Sequence, residues 1–81
     1  MNVEEIRRHL KVQPFVPFRI HLSDGSHYDV PHPDFAFVTK AHVEIGLGPV
    51  SAAIPERSVS CDPLHVTRIE PMPGERSRRT G

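Results

Sequence analysis

A single cysteine, Cys61, stands among 81 residues, so the chain cannot close a disulfide on itself. Small extracellular domains usually carry several bridges, which makes a cytoplasmic protein the expectation here. No apolar run approaches the roughly 20 residues that cross a bilayer. The opening Met1-Asn2-Val3-Glu4-Glu5 lacks the basic and apolar regions of a secretory leader. Net charge is missing too, since ten Lys and Arg balance ten Asp and Glu. Residues 1–70 come to −2 and residues 71–81 to +2. Domains that hold phosphates by charge are usually plainly basic, so nucleic acid is a possible partner but not the favoured one.

Motifs of catalysis are also absent. There is no P-loop, no dinucleotide fingerprint, no paired zinc spacing and no nucleophile elbow. Cys61 has no basic neighbour in sequence and is followed by Asp62. An adjacent carboxylate raises a thiol pKa, so a buried structural cysteine is the better reading than a nucleophile. The expectation is a non-enzymatic protein with no cofactor.

What is present begins with a helix over residues 2–12. Asn2 is a good N-cap with Glu5 three residues on. Glu4 and Glu5 occupy the first turn and Arg7, Arg8 and Lys11 follow, which complements the helix dipole. Val3, Ile6 and Leu10 make one apolar stripe. Pro14 ends the element, because the residue before a proline avoids the α region.

The best-patterned stretch is 18–30, Phe-Arg-Ile-His-Leu-Ser-Asp-Gly-Ser-His-Tyr-Asp-Val. It predicts two alternating strands, about 18–22 and 26–31. A two-residue loop at Asp24-Gly25 would set Leu22 against His27 and Ile20 against Asp29, mixing apolar with polar. A three-residue loop, Ser23-Asp24-Gly25 with Gly25 left-handed, pairs Phe18 with Val30 and Ile20 with Tyr28. It also pairs Arg19 with Asp29 and His21 with His27. Only the second register gathers the apolar groups on one face.

Further strands are expected at 35–39 and 42–47 around a turn at Lys40-Ala41, with Val43 and Ile45 inward. Short strands follow at 58–61 and 65–70, the last with Val66 and Arg68 on one side. Residues 50–57 are weakly patterned. From Pro71 to Gly81 the composition is that of a disordered tail. One domain is expected over residues 1–71, with an Arg-containing tail over 72–81.

A helix and then about five short, bent antiparallel strands is the pattern of a small β-barrel. Leu22-Ser23-Asp24-Gly25 resembles the turn between the first two strands of Sm-like proteins, and Ser58 to Pro71 resembles their closing strands. The implied fold is an SH3- or Sm-like barrel, and the implied function is RNA binding. Where the bacterial Sm-like RNA chaperone has Lys-His, this chain has Pro63-Leu64, so no RNA-binding residue is carried over. The chain is also similar to a group of short uncharacterised bacterial proteins. They share Pro-Phe-x-Pro-Phe, Asp-Gly, His-Pro-Asp/Glu-Phe and His-Val-Thr-Arg-Ile-Glu-Pro, over most of residues 14–71.

Six histidines are many for this length. His21 and His27 face each other in the chosen register and could supply two metal ligands. A metal site needs three or four, and no third is forced nearby. His32 and Asp34 share a proline-bounded turn that could hold a base beside a carboxylate. A plain turn in which Asp34 caps the next element is the simpler reading.

Binding has more support. Phe18, Phe35 and Tyr28 are assigned to the core, and Phe15 and Phe37 to exposed contact. Arg19, Lys40, Arg57 and Arg68, with Arg76, Arg78 and Arg79 of the tail, are the candidate cations for nucleic acid. The preferred expectation is an interaction module that associates with itself or another protein. Its contact edges would be the strands at 58–61 and 65–70.

Overall fold

The computed structural model describes residues 1–72. Helix α1 spans Val3–Lys11, and the Asn2 side-chain oxygen accepts from the Glu5 N–H at 3.0 Å. Val12 turns to extended backbone, so the helix ends at Lys11, three residues before Pro14. Ile6 is the fully buried residue of its apolar stripe.

Strands β1 (Phe18–Leu22) and β2 (His27–Val30) form the expected hairpin in the expected register. Phe18 lies opposite Val30, Arg19 opposite Asp29, Ile20 opposite Tyr28 and His21 opposite His27. Gly25 has φ +91°, a conformation that side-chain-bearing residues rarely adopt. The Asp24 carboxylate accepts from the Ser26 hydroxyl and N–H, which closes the turn and holds its pKa below the usual carboxylate range.

A 3-10 turn, Pro33–Phe35, leads into β3 (Ala36–Val38), which pairs with β4 (Val43–Leu47). Residues 48–56 form a loop back to β5 (Arg57–Cys61). A second 3-10 turn, Pro63–His65, is capped by Asp62, whose side chain accepts from the Leu64 N–H at 2.9 Å. It delivers the chain to β6 (Val66–Pro71), so Pro71 closes a strand rather than opening a tail. The Met72 N–H still donates to the Pro17 carbonyl. Residues 73–81, with Arg76, Arg78 and Arg79, lie outside the described residues.

Among the described residues there are six strands, one in each of the six stretches read as strands, and they form two antiparallel sheets of order β2-β1-β6 and β3-β4-β5. Among the described residues the pairing does not close into the expected five-stranded barrel. Prolines account for both interruptions. Pro31 and Pro33 have no N–H to continue a ladder, so β2 ends at Val30 instead of bending through into β3. Pro63 likewise puts a 3-10 turn between β5 and β6. A bulge at Thr67 sets Val66 opposite Leu22 and Arg68 opposite His21. It overturns the expectation that Val66 and Arg68 share a side. Val66 is buried, and the bulge brings Ile69 to the core face in place of Arg68.

Both sheets and the helix contribute to one core of Ile6, Phe18, Ile20, Val30, Phe35, Val43, Ile45, Cys61 and Val66. Gly46 on β4 permits the loop to cross it closely. A Cβ there would lie 2.5 Å from the Pro55 side chain.

Candidate interaction surface

The outer face of the first sheet carries a ladder of charged and imidazole groups, placed by the alternation of β1 and its two neighbours. One row is Asp29, Arg19 and Glu70; the next is His27, His21 and Arg68. Arg19 Nε donates to Asp29 Oδ1 at 2.6 Å and Nη2 to Oδ2 at 3.2 Å, a two-pronged ion pair. That hydrogen bonding raises the guanidinium pKa further above its ordinary value. His21 Nε2 lies 2.5 Å from Glu70 Oε1, and Arg68 Nη2 lies 3.7 Å from the same oxygen. The hydrogen bond with His21 holds the Glu70 carboxyl below its usual range; burial opposes it, and the smaller effects of neighbouring charges, Arg68 and Arg19 among them, add to the lowering. Glu70 was not legible as the partner of His21, because the two are 49 residues apart in sequence.

His21 and His27 do face each other, with ring centroids 5.8 Å apart. No group of three His, Cys, Asp or Glu that could hold a metal occurs among the described residues. The pair is a cross-strand imidazole contact with Glu70 on one side.

The candidate cations do not form one patch. Arg19 and Arg68 share the outer face of the first sheet, where both already meet carboxylates. Lys40 and Arg57 belong to the second sheet, at opposite ends of β4. Lys40 lies in the turn beyond Val38 and Val43, and Arg57 is opposite Leu47.

The aromatic assignments divide. Phe18 and Phe35 are buried, and Tyr28 packs against the core, as expected. Phe15 does not reach out: it is half-buried, with its ring 5.9 Å from that of Phe18. The connector 12–17 folds back over β1, so Phe15 serves the core margin. Phe37 is 64% exposed. It lines a groove between α1 and β3 together with Leu10, Pro33 and Val38.

His32 points its Nε2 toward the Val50 carbonyl at 3.3 Å and sets its ring edge-on to Phe35. No side-chain cap bond opens the 3-10 turn, so Asp34 is not the cap that the sequence suggested. His65 Nδ1 lies 3.2 Å from the Ser23 hydroxyl and ties the first hairpin to the turn before β6. Cys61 is buried, and burial raises its thiol pKa, with smaller contributions from Glu44 and Asp24 rather than from the adjacent Asp62. Its sulfur stays a protonated, apolar filler near neutral pH.

Among the described residues the sheet edges are β2, β6, β3 and β5, and at the start of β6 the Met1 amine donates to the Val66 carbonyl at 3.3 Å. Both β5 and β6 pair on one side only, as edge strands of their sheets. Beside β6, between α1 and the connector, lies an apolar groove of about 360 Å³ lined by His9, Val12, Val16, Phe18, Ile69 and Pro71, with Arg8 at its rim. Leu64, in the turn joining β5 to β6, is 82% exposed. Sequence patterning found the edges but not the groove, which depends on where the connector packs.

No family model matches this chain, and no curated protein or solved structure matches it either. No helix among the described residues is long and apolar enough to cross a membrane.

Proposed function

We propose that this protein is a non-enzymatic interaction module that works by strand addition, associating with itself or with another protein through the open edges of β5 and β6. The observation that carries the reading is the coincidence of unpaired edges with apolar side chains. An open edge offers a row of N–H and C=O groups, and neighbouring apolar pockets select the side chains of an incoming strand. The groove beside β6 and the exposed Leu64 between the two edges supply such side chains. The return of β6 to pair with β1 supports an SH3- or Sm-type chain path. Scattered cations, of which Arg19 and Arg68 already meet carboxylates, favour protein over nucleic acid as the partner.

Light scattering after size exclusion tests this, with the 260/280 nm absorbance ratio read across the same peak. The expected result is a nucleic-acid-free particle heavier than one chain, or a co-purifying protein held in fixed stoichiometry. A nucleic-acid-laden particle would replace this reading with the RNA-binding one. A monomer at every concentration, with nothing bound, would overturn it.

A further inference from the structure

We infer that the strand added at β6 is β6 of a second copy, antiparallel, with Ile69 on the two-fold axis. This rests on the edge-strand reading above and names its partner and register. Backbone alternation comes first. The Met72 N–H donates to Pro17, and antiparallel ladders alternate bonded and non-bonded pairs. In the register that sets Phe18 opposite Pro71, the groups of Glu70 and Arg68 therefore point toward β1. Those of Ile69 point away from it, toward the free edge. Pro71 has no N–H and offers only its carbonyl, so the ladder available to a partner is short and centred on Ile69.

Side chains then choose the partner. An antiparallel copy with Ile69 opposite Ile69 puts Arg68 opposite Glu70 of the second copy, and the symmetry repeats that contact. Directly opposed residues across antiparallel strands lie about 4.5–5.5 Å apart at Cβ, closer than neighbours two apart along one strand. Within one chain Arg68 reaches Glu70 only at 3.7 Å, and its side chain is 64% exposed. The edge is thus its own charge complement. On the opposite face the two Ile69 side chains meet, and the two apolar grooves become one continuous trough.

The test uses five samples of the full chain, read by light scattering over a concentration series. The wild type is expected to reach twice the monomer mass. Arg68→Glu sets Glu against Glu at both contacts, and Glu70→Arg sets Arg against Arg. Each is expected to weaken the dimer at least about tenfold. An equimolar mixture of the two variants restores opposite charges at both contacts, so it should recover the dimer as a heterodimer. Because Glu70→Arg also disturbs His21, Ile69→Pro is the companion variant. It removes the outward N–H, leaves the bonds to β1 in place, and should be monomeric with an unchanged β-type circular dichroism spectrum. A dimer that survives Arg68→Glu and Ile69→Pro overturns this register while leaving an edge-strand contact elsewhere, such as β5. A wild type that is monomeric throughout overturns the inference. The edge-strand reading then survives only if a different protein is captured.

Discussion

At the residue scale the clearest consequences are those of Glu70 and Cys61. The Glu70 carboxyl is held below its usual range in the folded chain, chiefly by the hydrogen bond with His21. A depressed carboxylate contributes stability above its unfolded pKa, and that contribution is lost as pH falls through the folded value. Glu70→Gln should therefore lower the urea midpoint at pH 7, and its difference from wild type should shrink as pH drops below about 4. Urea titrations at pH 7, 5 and 3 read this directly, and a gap at pH 3 no smaller than that at pH 5 would contradict it. Cys61 gives a complementary expectation. Its thiol is buried and its pKa raised, so a disulfide exchange reagent at pH 7 should modify it slowly in the native chain and quickly in denaturant. Equal rates in the two conditions would place the sulfur at the surface.

Elements here are set by a few chemically distinctive residues. Asn2 caps α1, and Asn2→Ala should cost about 1 kcal/mol. Gly46 has no room for a side chain against Pro55, and Gly46→Ala should cost about 1–3 kcal/mol by forcing the loop off β4. Thermal unfolding with matched denaturant curves measures both, and a neutral Gly46→Ala would mean that Pro55 yields freely. Local patterning was legible where one face is apolar and the other is not. The 18–30 register followed from keeping Phe18, Ile20, Tyr28 and Val30 together, and Val43 and Ile45 were readable as inward for the same reason. The bulge at Thr67 was not legible. Val66-Thr67-Arg68-Ile69 reads as a plain alternation, and only pairing with β1 shows the extra residue. Nor was Phe15, whose burial depends on the connector folding back. The candidate surface was readable as edges, but its groove and its His21–Glu70 contact arise between segments far apart in the chain.

Over the whole molecule, one small core joins everything. Ile6 of the helix, Ile20 and Val66 of the first sheet, and Val43 and Ile45 of the second belong to the same buried cluster. Ile6→Ala should therefore cost about 2–5 kcal/mol and lower a single cooperative transition, rather than release the helix alone. Far-ultraviolet and near-ultraviolet signals melting at different temperatures would show the helix to be a separate unit. The helix packs along β3 of one sheet while His9 lies 5.3 Å, centroid to centroid, from Phe18 of the other. Nine residues are too few to hold helical shape alone in water. These residues leave a ribosome before either sheet exists, and the strand that completes the first sheet leaves after every other strand. The helix must wait at least for β3, so a nascent chain truncated before Ala36 would leave Leu10 without the strand it packs along.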